Sequence, residues 1–191
     1  MENSPDNNRV KKAREAIKEC QVLELLEGYS PVVVSTIFVG LDTEQSDIDI
    51  VCQYDCQNTF ASTFLGAFGQ SEHFELNLND DYLVGRFHSL GFLVEVYASP
   101  MLVKSQAAFR HYQVMERLVR LGGPTIQRSI RTLKRRGLKT EPAICQVLGL
   151  NGDPYQAVLS LSSSTDGQLF ELLQSHYNKT KKGEQECPYT H

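Results

Sequence analysis

The sequence predicts an α/β (α+β) fold: a mixed sheet flanked by helices, followed by a half that is helical throughout. Three observations carry this. Short β-branched or alternating runs interleave with helical stretches up to about residue 98. Beyond Ser99 no such run recurs, and glycines, prolines and capping residues punctuate one helix after another. A length of 191 residues allows one domain, or two small ones, with a buried core.

The elements follow in order. Val10, Ala13, Ile17, Cys20 and Leu23–Leu26 recur at helical spacing from Arg9 to Glu27, and Gly28 is a natural stop. Pro31 leads into Val32-Val33-Val34, a buried strand by its β-branched side chains. Asp47–Gln53 is the next strand, joined to the first by a hairpin-like connection. Gln57–Phe68 has the period of a helix, with Phe60, Phe64 and Phe68 on one stripe that belongs in a core. Phe74–Leu78, Tyr82–His88 and Phe92–Tyr97 read as strands. Ser99-Pro100 caps a long helix to about Leu121, which Gly122-Gly123-Pro124 breaks. Further helices are expected at Thr125–Arg136, from Thr140, from Asp153-Pro154, and after Ser164-Thr165-Asp166. The expected boundaries are 1–98 for the α/β part, 99–178 for a helical region packed on it, and 179–191 for a mobile polar tail.

Composition narrows the function classes. Hydrophobic residues make up 41% and charged residues 22%, ordinary for a globular protein. A net charge of -4 argues against a general nucleic-acid coat and leaves room for a local basic patch. No apolar run is long enough to span a bilayer, and the polar start lacks the apolar segment of a signal peptide. Cys20, Cys52, Cys56, Cys145 and Cys187 are scattered and odd in number, as expected of reduced thiols in the cytoplasm.

The stretch that speaks of chemistry is Ser35–Cys52, STIFVGLDTEQSDIDIVC. It joins a small polar pair, Ser35 and Thr36, to a loop around Gly40 and closes on Ser46-Asp47-Ile48-Asp49-Ile50. Strand residues alternate faces, so Asp47 and Asp49 share one side while Ile48 and Ile50 enter the core. Two carboxylates so close repel unless a cation lies between them, and Mg²⁺ is commonly held by one or two carboxylates together with substrate phosphates. A solvated edge strand with two exposed acids is the plainer alternative. Glu95, in the apolar strand Phe92–Tyr97, is costly to bury alone; it is at a rim, salt-bridged, or a third metal ligand.

A second signal is charge. Between Glu116 and Glu141 there is no acidic residue, while Arg117, Arg120, Arg128, Arg131, Lys134, Arg135, Arg136 and Lys139 are basic. Arg128, Arg131 and Arg135 fall on one side of a helix. Such a run is either a solvated face or a seat for the phosphates of a nucleotide or RNA.

These motifs resemble those of nucleotidyltransferases of the DNA polymerase beta superfamily, which carry Gly-Ser, a loop of about ten residues, Asp-apolar-Asp on a strand, and a third acid on a later strand. Ser35-Thr36 stands at the Gly-Ser position, with Ser35 in place of the glycine. Gly40 matches the glycine of the loop, Ser46-Asp47-Ile48-Asp49 closes the motif, and Glu95 matches the third acid with one methylene more than aspartate. The chain also resembles an uncharacterised bacterial family placed in that superfamily, through the blocks FRHYQVMERL (Phe109–Leu118), GLKTEPA (Gly137–Ala143) and GDPY (Gly152–Tyr155).

The resemblance implies a nucleotidyltransferase-like sheet and transfer of a nucleoside monophosphate from a nucleoside triphosphate. Asp47, Asp49 and Glu95 are then the catalytic and metal-binding residues of a two-Mg²⁺ site. Ser35, Thr36, Gly40, Ser46, Arg110 and Lys139 bind the nucleotide; Arg86, Lys104 and His111 come behind them. The acceptor is a small molecule, a protein or an RNA end. Two other functions stay open: nucleotide or RNA binding without turnover, and a protein-interaction module whose acids are structural.

Overall fold

The computed structural model describes residues 5–185. They divide into two compact units, one ending at Tyr112 and the other beginning at Gln113.

Strict alternation of buried and half-exposed side chains lays out the first unit. Its elements are α1 (Pro5–Glu19), α2 (Val22–Leu25), β1 (Val32–Val33), β2 (Ile48–Gln53), α3 (Gln57–Phe68), β3 (Glu75–Leu78), β4 (Leu83–Ser89) and β5 (Phe92–Ser99). The described strands form a mixed sheet in the order β1-β2-β5-β4-β3. β2 runs parallel to β5 and every other pairing is antiparallel. The mixed sheet with flanking helices is therefore the one the sequence predicts. The β1–β2 hairpin is present, with Val32 opposite Val51.

One face of the sheet is the core. Ile48, Ile50, Cys52, Leu83, Phe87, Val94, Val96 and Ala98 pack against Ala13, Ala16 and Ile17 of α1 and against Phe60, Phe64 and Phe68 of α3. The aromatic stripe has its expected role: the Phe60–Phe64 and Phe64–Phe68 ring centroids are 6.1 and 4.9 Å apart, and Phe68 stacks on Phe87 at 4.5 Å. Each buried phenyl contributes about 1.5–3 kcal/mol through burial. The opposite face is covered only in part: Val34, Val51 and Val103 are buried there, with Tyr97, Phe109 and Tyr112 against them.

Two helix boundaries differ from expectation, each for a local reason. The first helix does not run unbroken to Glu27. Gln21 takes a left-handed conformation (φ 51°), which ends α1 and turns Val22 and Leu26 fully inward. The helix expected at Ser99 starts at Ala107. Ser99 instead completes β5 opposite Gln53, and a 3-10 turn at Val103–Ser105 intervenes. Gln106 anchors that turn, its amide donating to the carbonyls of Cys52 (2.8 Å) and Met101 (2.9 Å).

The long helix α4 (Ala107–Arg135) is bent at Gly123, whose φ of 61° and ψ of -158° interrupt it before Pro124. In the second unit it is followed by α5 (Thr140–Leu148), α6 (Pro154–Ser160) and α7 (Asp166–Gln185). Asp153 caps α6 by accepting from the backbone N–H of Gln156 at 2.9 Å. Arg117 and Arg120 grip Asp166 at 2.8 and 2.6 Å, and these arginines, Arg120 first, hold its carboxyl below the usual range. α7 continues past Asn178 to Gln185; of the expected tail, residues 186–191 lie outside the described residues. Among the described residues no helix is long and apolar enough to cross a membrane.

Candidate active site

The loop between β1 and β2 is built by its own backbone. After Val34, whose N–H donates to Asp49 (2.9 Å), the chain winds through successive turns: Phe38 N–H to Ser35 (3.1 Å), Gly40 N–H to Ile37 (3.3 Å) and Leu41 N–H to Thr36 (3.0 Å). Gly40 sits at φ 69°, a left-handed conformation that glycine adopts without a Cβ penalty. Ile37 and Leu41 are fully buried, and Ile37 joins the loop to the core of the unit.

Ser35, at the glycine position of the motif, is wholly buried. Its hydroxyl donates to the carbonyl of Asp47 at 2.6 Å and accepts from the N–H of Ile37 at 3.3 Å. The hydroxyl thus joins the first turn of the loop to the acid that closes it. Ser46 is also spent locally, its hydroxyl accepting from the N–H of Thr43 at 2.9 Å. Thr36 and Gly40 remain half-exposed on the loop.

Asp47 immediately precedes β2, and Asp49 lies within it; both are half-exposed, while Ile48 and Ile50 are buried at 0% and 1%. Asp49 is directly opposite Glu95 in the parallel β2–β5 register. Glu95 is in turn opposite Arg86, and Arg86 opposite Glu75. The open face therefore carries one charged row, Asp49–Glu95–Arg86–Glu75, running across four adjacent strands. Within it, Arg86 donates through Nε and Nη2 to Oε2 of Glu95, both at 2.6 Å, and its Nη1 stands 3.9 Å from Glu75. Of the alternatives open for Glu95 in the sequence, the salt bridge is the one present.

A second arrangement escaped sequence reasoning. Arg9 of α1 reaches the loop, with Nε 3.1 Å from Asp42 and Nη2 donating to the carbonyl of Ser46 at 2.7 Å. The Nε–H is not aligned for a hydrogen bond to the carboxylate, so that contact is an ion pair. Asp42 is 4% exposed, and the guanidinium lies 5.0 Å from the centre of the Phe92 ring. In the sequence Asp42 stands where the apolar run ending at Leu41 gives way to the polar Thr43–Asp47, so nothing there pointed to a buried partner.

Arg110 is half-buried in the first part of α4, and His111 beside it is buried at 8% exposure. Lys139 is exposed at the N-terminal cap of α5, in the second unit. A cleft of about 190 Å³, lined by Tyr29, Gln53, Tyr54, Asp55, Cys56 and Thr59 among others, lies at the far end of β2 and includes neither Asp47 nor Asp49.

These residues fit a divalent cation in part. Asp47 and Asp49 supply the one or two carboxylates that Mg²⁺ takes when phosphates complete its shell. The three-carboxylate set does not assemble: among the described residues no three His, Cys, Asp or Glu side chains gather as metal ligands, and Glu95 is held by Arg86.

The profile of the family described as "Domain of unknown function (DUF4269)" matches residues 15–161. No curated protein matches. Among solved structures, Cid1 poly(U) polymerase with bound MgGTP matches at TM-score 0.57 and 12% identity, over 80% of this chain and 49% of that one. A structure of Cid1 described for its RNA terminal uridylyl transferase activity matches at TM-score 0.59 and 12% identity, over 87% and 66%. The GLD-2/RNP-8 complex matches at TM-score 0.53 and 13% identity, over 92% and 79%. At these identities the likeness is one of fold. This chain spans about half the length of the first of these structures.

Proposed function

The chain belongs to the DUF4269 family, and from that premise and the placement of Asp47 and Asp49 we propose that it is a nucleotidyltransferase. It moves a nucleoside monophosphate from a nucleoside triphosphate to an acceptor hydroxyl on a small molecule, a protein or an RNA end. The observation that carries this reading is the pair of half-exposed carboxylates at the exit of a loop fastened by Ser35 to the backbone of Asp47. A fold shared with Cid1 poly(U) polymerase and with a structure of GLD-2 supports it.

In the reaction the acceptor oxygen attacks the α-phosphorus, the bond from that phosphorus to the pyrophosphate oxygen breaks, and pyrophosphate leaves in line. The hydroxyl proton passes to water. Mg²⁺ held by Asp47 and Asp49 would supply charge neutralisation for the triphosphate. The chain's own part is positioning. Ser35 and Ser46 keep the loop in register with Asp47, and Thr36, with the backbone around Gly40, faces phosphate. Arg110, in the same unit, contributes positive charge for phosphate or acceptor.

The Arg86–Glu95 pair favours a second reading, nucleotide binding without transfer, because it occupies the third carboxylate. Pyrophosphate release in each nucleoside triphosphate, compared between the wild type and D47A/D49A, decides between them. Transfer predicts release that the double variant abolishes. Equal rates in the two proteins refute it, and bound nucleotide with no release assigns the second reading.

A further inference from the structure

We propose that the free edge of β3 is a docking site for a basic, extended peptide segment of a partner protein, which adds to the sheet as a further strand. The inference does not rest on the reading of Asp47 and Asp49 as cation ligands.

The β3–β4 hairpin decides which backbone groups face outward. β3 stands at one end of the sheet. The N–H of Asn79 donates to the carbonyl of Tyr82 at 3.1 Å, and hydrogen-bonded pairs alternate along an antiparallel ladder. Asn77 and Glu75 therefore exchange hydrogen bonds with Val84 and Arg86, and the N–H and C=O of Leu76 and Leu78 point away from β4. The N–H of His88, donating to the carbonyl of Glu72 at 2.8 Å, keeps the same alternation. Among the described residues no strand pairs with this edge. It is also held in place: Asn79 Oδ1 accepts from the N–H groups of Asp81 and Tyr82, both at 2.9 Å, and Gln57 of α3 donates to the Asn79 carbonyl at 2.7 Å.

Beside the edge lies an apolar strip. Leu76 and Leu78 share the face that α3 covers, Leu76 packed against the core and Leu78 47% exposed. Ala61 and Leu65 follow Gln57 at successive turns on the flank of α3 that reaches β3, and Leu65 is 54% exposed. An added strand places alternate side chains along this strip, where apolar ones leave water.

Charge decides the occupant. Glu72 and Glu75 stand at one end of the edge and Asp80 and Asp81 at the other, all exposed. The sequence from Glu19 to Gly85 contains neither lysine nor arginine. Arg86 is 3.9 Å from Glu75 but is bound more closely to Glu95, at 2.6 Å. Two copies of this chain meeting edge to edge would bring like charges together, which is how exposed edges resist self-association. A strand with an alternating apolar centre and lysine or arginine at its ends meets opposite charge at both ends and open backbone partners between them.

The experiment is fluorescence anisotropy of a fluorescein-labelled peptide, Lys-Lys-Val-Thr-Val-Thr-Val-Lys-Lys, titrated with the full chain. Saturable binding that weakens with added salt is expected. The same peptide with glutamate for each lysine, or with proline for its central valine, should not bind. L78P removes one outward N–H and spares the pairing with β4. It is expected to weaken binding about tenfold or more, with thermal stability near wild type. D80N/D81N leaves the backbone edge whole and is expected to weaken binding about threefold or more. Should L78P melt well below wild type, D80N/D81N and the proline peptide decide in its place. No binding of the lysine peptide overturns the inference, as does a glutamate or proline peptide that binds equally well. Full affinity in a stable L78P, or in D80N/D81N, overturns it too, because the peptide is then held elsewhere on the acidic surface. A wild type that sediments as a dimer and an L78P variant that sediments as a monomer would give the edge to a second copy, and so refute a basic partner.

Discussion

Arg9 in the first helix is fastened to Asp42 in the loop, at 3.1 Å, and through the same guanidinium to the carbonyl of Ser46, next to Asp47. The candidate site is thereby tied to an element distant from it in sequence. Asp42 is almost wholly buried, so removing its partner leaves an uncompensated charge in a poor solvent. R9M is expected to cost about 3 kcal/mol in urea unfolding, and R9M/D42L distinctly less, because the orphaned carboxylate goes with the arginine. A single-variant loss under 0.5 kcal/mol would mean the pair does not hold the loop.

Gly85 faces the aromatic stripe. A Cβ there would meet the Phe64 ring at 2.1 Å, a rigid obstacle in a filled core. G85A should destabilise the protein by about 1–3 kcal/mol from overpacking. In the F64L background, where the ring is gone, the same substitution should cost much less. Equal costs in both backgrounds would show that the crowding is not at Phe64.

The described cysteines should separate sharply in reactivity. Cys56 is exposed at the start of α3, and hydrogen bonding from Thr59 lowers its pKa. Cys52 is buried in β2, and burial pushes its thiol up to about 12. Alkylation by iodoacetamide at pH 7.5, mapped by mass spectrometry, is expected to label Cys56 first and Cys52 only on unfolding. Early labelling of Cys52 would contradict its place in the core.

The same burial makes stability depend on pH. Above the ordinary thiol pKa the unfolded Cys52 gives up its proton while the folded one keeps it until about 12. The unfolded state then binds fewer protons, so stability falls as pH rises through this window, by up to about 1.4 kcal/mol per pH unit. Cys20 and Cys145 are raised too and act in the same direction. Between pH 9 and 11, C52A should therefore show a shallower decline than wild type, whatever its absolute stability. Parallel slopes would mean that Cys52 titrates alike in both states.

What was legible in the sequence is what period and spacing encode. Phe60, Phe64 and Phe68 announced α3 with its buried face, Val94 and Val96 announced β5, and Ile48 and Ile50 announced the buried face of β2, because each depends on neighbours within a few residues. What was not legible depends on register between distant strands. Glu95 faces Arg86 only because β4 and β5 pair as they do, and Arg9 finds Asp42 only because α1 crosses the loop. Local signals also lost to pairing at Ser99-Pro100. That dipeptide has the chemistry of a helix start, yet Ser99 continues β5 opposite Gln53 and accepts from the N–H of Tyr54 at 3.0 Å. At Gln21, inward packing of Val22 and Leu26 overrode an unbroken helical pattern.

The central claim is that Asp47 and Asp49 hold the cation of a bound nucleoside triphosphate. Calorimetric titration with ATP, CTP, GTP and UTP, each with and without Mg²⁺, tests it most directly. The account predicts saturable binding of at least one nucleotide that requires Mg²⁺ and is lost in D47A/D49A, with thermal stability little changed. Absence of binding by all four, or binding that the double variant retains in full, would contradict it.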